Sequence, residues 1–215
     1  MISVIICCNN QQQYDDFCYP ALYRTNQLLK SLGQEELDIQ LIYDAPSIFI
    51  GNNEGIRKAH FPIKVFMHQD VNLLQTSWLM KIVRAFAEYP EYGLLGFCGT
   101  RKLPSTGFWW EEGKQHLLGE LYSGEEKKLW SLNPVKGLTQ AECIDSYFMA
   151  TNREVYFDED LPGFHLVDMD YSKTFTALGY QIGVVPHRAW HIGAIRDQDT
   201  SHYLETHYKK WTPTN

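Results

Sequence analysis

The chain lacks any excess of positive charge. Its 215 residues carry 19 Lys and Arg against 26 Asp and Glu, a formal net charge of -7. Such a surface gives phosphodiester backbones no general attraction, and no local basic patch stands out, so nucleic acid is not an expected partner. Long apolar runs are missing too. Residues 2 to 8 fall far short of the roughly 20 apolar residues of a membrane span. They also have no basic residues before them and run into Asn9 and Asn10, unlike a secretory leader. The five cysteines, Cys7, Cys8, Cys18, Cys98 and Cys143, are odd in number. Cys7 and Cys8 adjoin and would point to opposite faces of a strand, so neither a disulfide framework nor a zinc knuckle is expected. These absences imply a soluble, cytoplasmic protein without a transmembrane segment, compatible with peripheral membrane contact. Glycine is absent from the first turn, Cys8-Asn9-Asn10-Gln11, which argues against a dinucleotide-binding loop or a P-loop. There is no Gly-x-Ser-x-Gly elbow, no internal repeat and no low-complexity run.

What is present is an ordinary globular composition, 44% hydrophobic and 21% charged, of a length for one domain, alone or with a large insertion. Residues 2 to 8 form a β-branched block that suits a strand covered on both faces. Apolar positions at helical spacing follow between Tyr14 and Leu32, with Pro20 opening the main helix and Gly33 closing it. Ile39 to Tyr43 and Ile63 to Met67 read as strands. A short basic helix starts at Asn52-Asn53-Glu54-Gly55, and Trp78 to Tyr89 is an amphipathic helix. Tyr92 to Cys98 reads as a fourth strand. Residues 99 to 142, punctuated by glycine and proline around Trp109-Trp110, read as an excursion of loops and short strands. Order returns at Glu142 to Ala150, in a helix after Asp170, and in a final strand, Gln181 to Val185. The polar tail from Asp197 reads as a surface wrap. Short buried strands alternating with helices predict an α/β layer fold with a mostly parallel central sheet flanked by helices. Ligands of such sheets sit outside the carboxyl ends of the strands.

Several acids fall at those ends. Asp70, just past the third strand, suits a hard divalent cation that keeps waters and phosphate oxygens as its other ligands; it equally suits a helix cap. Asp168 and Asp170 lie just before a helix and share one rim only if the backbone there is extended. They can act as an acid and base pair or simply cap that helix. His191 is a metal ligand or a satisfied core histidine. Trp109 and Trp110 form a sugar-stacking wall or part of the core. Asp145 is a strand-end acid or a turn residue.

In their order these elements resemble the GT-A glycosyltransferases, in particular a family-2-like group of small bacterial transferases. The resemblance rests on Ser3 to Asn10, Asp44-Ala45-Pro46-Ser47, Asn53-x-Gly55, His68-Gln69-Asp70-Val71, Asp145-Ser146-Tyr147-Phe148-Met149 and Phe164 to Asp170. It implies a single GT-A domain with a nucleotide-binding half at about 2–98, an acceptor-side half at about 99–193 and a tail at 194–215. It implies nucleotide contacts from Cys8, Asn9, Asp44, Ser47, Asn53 and Gln69, and acceptor or sugar contacts from Trp109, Trp110 and Asp145. Mn²⁺ or Mg²⁺ would be held by Asp70 with His191, since His68 stands where most members have the first acid of Asp-x-Asp. Asp168 would be the base, with Asp170 as second choice. The implied reaction is inverting transfer from a nucleotide-diphosphate sugar, a UDP-sugar first among them, to a glycan or glycolipid hydroxyl, as in surface polysaccharide assembly. The rival readings are a noncatalytic nucleotide- or carbohydrate-binding module on the same fold and a metal-dependent phosphohydrolase. The sequence leaves the oligomeric state open.

Overall fold

The computed structural model describes residues 1–193 and 201–211. Strand β1 (Ile2–Cys8) sends Val4 and Ile6 into one core and Ile5 into another, as the two-residue period of a strand requires. Helix α1 (Gln11–Gln13) opens on Asn10, whose side chain accepts from the Gln13 amide. It runs through a π-helical stretch, Tyr14–Cys18, into α2 (Tyr19–Ser31), with Pro20 in the first turn of α2. After β2 (Asp38–Tyr43), helix α3 (Ile48–Lys58) starts a turn earlier than the sequence suggests. Ser47 is the reason, because its hydroxyl accepts from the Ile50 amide at 3.2 Å and caps the helix. Gly55 sits where α3 presses on β1, and a Cβ there would run into the Ile5 side chain.

Next come β3 (Ile63–Met67), β4 (Val71–Leu73), α4 (Trp78–Glu88) and β5 (Tyr92–Gly96). The strand expected over residues 92 to 98 breaks at Phe97, after which β6 (Cys98–Thr100) joins a different sheet. The excursion then builds β7 (Leu117–Ser123), β8 (Lys128–Ser131), β9 (Thr139–Ala141) and β10 (Cys143–Ile144) before β11 (Phe148–Thr151) returns to the centre. Helix α5 (Val167–Ala177), β12 (Gln181–Val184), β13 (Arg188–His191) and α6 (Ser201–Trp211) complete the described chain. Part of the expected wrapping tail is therefore the helix α6, whereas residues 197–200 and 212–215 of it lie outside the described residues.

The main sheet has the order β2-β1-β3-β11-β5-β12-β9. Its first three strands are parallel, but β11 runs antiparallel to both β3 and β5. Strands β2, β1, β3, β5 and β12 share one direction, so the sheet is mostly parallel as expected; β11 and β9 run against them, β11 entering from the long excursion and not through a helical crossover. The second sheet has the order β10-β6-β7-β13-β4, with β8 beside β7. Two buried clusters fill the layers. Phe97 stacks on Phe148 at 4.0 Å in one, and Phe157 on Tyr171 at 3.8 Å in the other. Each fully buried ring stabilises the fold by about 1.5–3 kcal/mol. No helix among the described residues is long and apolar enough to cross a membrane.

Candidate functional site

Strand register brings together side chains from distant parts of the chain. Strand β13 pairs antiparallel with β4 so that His191 lies opposite Val71, and the Ile192 amide donates to the Asp70 carbonyl at 3.1 Å. As a result His191 Nε2 stands 3.4 Å from Asp70 Oδ1 and 3.4 Å from His68 Nδ1. One donor atom from each of the three lies within 4.8 Å of the others. The other Asp70 oxygen accepts from the Gly193 amide at 2.9 Å. A Cβ on Gly193 would fall 2.7 Å from that oxygen and 2.8 Å from His191 Nε2, so this approach depends on glycine. The Tyr147 ring lies along His191, with centroids 5.8 Å apart, and its carbonyl accepts from the His68 amide at 3.2 Å.

The protonation states of His68 and Asp70 suit metal binding, whereas His191, whose hold on a proton Asp70 strengthens, would have to release that proton to an ion. Burial, reinforced by the charge of His191, lowers the His68 pKa to about 4 and leaves a neutral imidazole with a free lone pair. Burial pushes Asp70 upward, yet the hydrogen bond and charge of His191, with His68 adding to them, hold it at about 2. Burial lowers His191 but the Asp70 carboxylate outweighs it and raises the pKa. Ligand atoms about 2.1 Å from one ion stand roughly 3–3.5 Å apart, and both pairs measured here fall in that range. Sequence reasoning passed over His68 because it occupies an acid's place; the available signal was that neutral imidazole is itself a common ligand.

Gln69, expected to contact nucleotide, is engaged within the protein. Its Oε1 accepts from the Asn9 and Asn10 amides at 2.8 and 2.9 Å, and its Nε2 donates to Asn9 Oδ1 and Gln13 Oε1. It clamps the turn after β1 to the turn after β3. Asn9 is exposed on this rim, while the Cys8 side chain is buried. Asp44, at the end of β2, is exposed in the left-handed region with φ 54°, which aspartate tolerates better than most residues. Its carboxylate has no hydrogen-bond or ion-pair partner among the described residues. Asn53 is turned away from this rim: it donates to the Phe157 carbonyl and Glu159 and accepts from the Phe157 amide, so its amide group is fully engaged in holding residues 157–159. Ser47 is buried and occupied as the α3 cap.

Asp168 and Asp170 do not precede α5; they are in its first turn. Two residues of helix turn through about 200°, so the pair cannot share a rim. Asp170 Oδ1 accepts from Lys210 at 2.7 Å and from Trp211 Nε1 at 2.8 Å, which commits it to holding α6. Asp168 faces the other way, 5% exposed, and its Oδ1 accepts from the Met169 amide. Burial, with the neighbouring Asp145 carboxylate, raises its pKa to about 7. Asp145 is half-buried with Oδ1 accepting from the Tyr147 amide; burial raises its pKa against the opposing pull of His191. Asp145 thus lies within electrostatic reach of both His191 and Asp168. Leu166, two residues before Asp168, holds φ 60°. That conformation is costly for a leucine and recurs near functional sites.

The tryptophan wall resolves into two different residues. Trp109 is 1% exposed and packs against Trp110 and Trp130, so it belongs to the core. Trp110 is half-buried beside Phe108, with centroids 5.1 Å apart.

A family model described as "Glycosyltransferase like family" matches residues 3–212. Among solved structures, a mannosyltransferase, PcManGT from Pyrobaculum calidifontis in complex with GDP-Man and Mn²⁺, is similar with a TM-score of 0.56 at 14% identity, over 100% of this chain and 64% of that one. GalNAc-T7 with UDP, GalNAc and Mn²⁺ gives 0.62 at 9% identity, over 97% and 48%. S. aureus TarS 1-349 with UDP-GlcNAc gives 0.53 at 9%, over 95% and 60%. The chain therefore spans about half to two thirds of these proteins' lengths. Among curated proteins none matches.

Proposed function

Because this chain belongs to the glycosyltransferase-like family and has the GT-A fold, we propose that it transfers a sugar from a nucleotide-diphosphate donor, UDP-linked in the first instance, to a hydroxyl of a glycan or glycolipid. The observation that carries the reading is the His68, Asp70 and His191 cluster, linked through Asp145 to the buried acid Asp168. Solved relatives were captured with Mn²⁺ and GDP-Man, or with Mn²⁺, UDP and GalNAc. Two imidazoles and one carboxylate favour Mn²⁺ over Mg²⁺, which prefers oxygen ligands. His68, Asp70 and His191 would hold such a cation, which when bound would supply charge neutralisation for a diphosphate leaving group.

The chain's own residues do the rest. Asp44, with its unengaged carboxylate, receives the ribose or base, and Asn9 lines the same rim, held there by Gln69. Trp110, not Trp109, is the sugar-facing aromatic. Asp168, ionised near neutral pH, accepts the proton of the acceptor hydroxyl. The hydroxyl oxygen bonds to the anomeric carbon as the bond from that carbon to the diphosphate oxygen breaks, with inversion. Asp145 is a positioning acid whose charge keeps Asp168 basic enough for that task. The free cysteines suit a reducing, cytoplasmic setting.

One observation favours a second reading, a binding module without transfer: Asp168 is only 5% exposed. Incubation with a panel of UDP- and GDP-sugars, Mn²⁺ and glycan acceptors distinguishes them. Nucleoside diphosphate release that depends on Mn²⁺ and on Asp168 supports transfer. Binding without release across the panel supports the module, and absence of both overturns the nucleotide-sugar reading.

A further inference from the structure

A metal-ligating imidazole is ordinarily oriented by a hydrogen bond from its other ring nitrogen to a carboxylate or a backbone carbonyl. His191 is held in another way. Its Nε2 faces the cluster, 3.4 Å from both Asp70 Oδ1 and His68 Nδ1, and among the described residues nothing hydrogen-bonds to its Nδ1. The ring is fixed by packing instead. Tyr147 lies along one face, with centroids 5.8 Å apart and planes inclined by 27°. His68 meets the same ring steeply, at 5.3 Å and 64°. Gly193 crowds the edge that carries Nε2, where a Cβ would fall 2.8 Å from Nε2 and 3.4 Å from Cε1.

Tyr147 makes a firm platform because it is itself immobilised. It is fully buried, its amide donates to Asp145 Oδ1 at 3.0 Å, its carbonyl accepts from the His68 amide at 3.2 Å, and its hydroxyl donates to Cys98 Sγ at 3.5 Å. Burial raises the pKa of the Tyr147 hydroxyl, and that of the Cys98 thiol to about 12, so both keep their protons and the hydroxyl remains a donor. Strand register accounts for the placement. Phe148 of β11 lies opposite Met67 of β3, which sets the preceding Tyr147 beside His68. Phe148 itself packs on Phe97 and Trp78 and makes no ring contact with His191. One residue therefore touches His191 through its ring, His68 through its carbonyl and Asp145 through its amide.

We propose that Tyr147 is the positioning residue of the cation cluster: its ring sets the plane of the His191 imidazole so that Nε2 points at the place shared with His68 and Asp70, and its hydroxyl, anchored on Cys98, holds that ring. The inference rests on the cation reading given above and involves neither the nucleotide nor the acceptor.

Calorimetry with Mn²⁺ alone tests it. Tyr147→Met and Tyr147→Leu, which lack a flat face, should bind Mn²⁺ at least about tenfold more weakly than the parent. Tyr147→Phe should restore binding to within about threefold, because the ring stays and only a bond to a weak sulfur acceptor is lost. Phe148→Leu is the control: it removes another fully buried ring, so its thermal midpoint should fall as in Tyr147→Leu while Mn²⁺ affinity is unchanged. In the unmodified protein, nuclear Overhauser contacts should join the Tyr147 and His191 rings both without metal and after addition of diamagnetic Zn²⁺. Parent-like affinity in Tyr147→Met or Tyr147→Leu, no recovery in Tyr147→Phe, an equal loss in Phe148→Leu, or separation of the two rings on binding Zn²⁺ overturns the role of Tyr147 alone. A parent protein that binds no Mn²⁺ overturns the cation reading and this proposal with it.

Discussion

Asp70 and Asp168 are both screened from solvent by the fold, yet their acidities move in opposite directions. Asp70 falls to about 2 and Asp168 rises to about 7. Burial raises both; the neighbours decide the outcome. Asp70 meets two imidazoles and the Gly193 amide, which favour the ionised form. Asp168 meets the carboxylate of Asp145, which favours the proton. On the proposed reading the same type of side chain serves two tasks, a permanent anion for a cation and a base that exchanges its proton near neutrality.

The largest expected effect tests the second half of that contrast. Asp168→Asn should lower transfer by about 10²–10⁴-fold with nucleotide affinity nearly intact, measured as steady-state turnover beside calorimetry. In the unmodified protein transfer should rise with pH through about 7, because the base works ionised. Retained turnover would move the base elsewhere. Stability supplies the next test. A carboxyl whose folded pKa is about 7 and whose unfolded pKa is 3.8 makes the fold most stable below about pH 4. That stability is lost progressively up to about pH 7, by an order of 4 kcal/mol. Denaturant midpoints of Asp168→Asn should therefore fall less across pH 4–7 than those of the parent.

The first half of the contrast is sharpened by His68. His68→Ala should weaken Mn²⁺-dependent UDP binding by about 100-fold, and His68→Asp should shift the preference toward Mg²⁺. Both are read by calorimetry with each metal. The smallest effect belongs to Gln69→Ala. Unclamping the turn after β1 should weaken UDP binding by about tenfold, the equivalent of one or two hydrogen bonds, without changing the metal preference.

How legible this was depended on the range of each interaction. Strands β1 and β3 are uninterrupted apolar blocks, α4 keeps one face apolar, and Asp70 follows its strand immediately, so local pattern was enough to place them. The GT-A fold was readable from the order of these segments. The proximity of His191 to Asp70 was not written in either neighbourhood, since it comes from the register of β13 on β4 across more than a hundred residues. The start of α5 was misplaced because Leu166 takes a left-handed conformation that a leucine does not announce. That shift separated Asp168 from Asp170. Trp109, Asn53 and Ser47 carried polar or aromatic signals that the fold uses internally, for packing, tethering and capping. Only the neighbours of such a residue, unseen in sequence, decide between ligand and scaffold.

The proposed mechanism requires a cation held jointly by His68, Asp70 and His191 and by a nucleoside diphosphate. Pulsed electron paramagnetic resonance of the protein with Mn²⁺ and UDP addresses it directly. Couplings to imidazole ¹⁴N and to ³¹P of the same ion are the predicted result, with the nitrogen signal reduced in His68→Ala. A Mn²⁺ spectrum carrying ³¹P couplings without nitrogen, or neither, would contradict it.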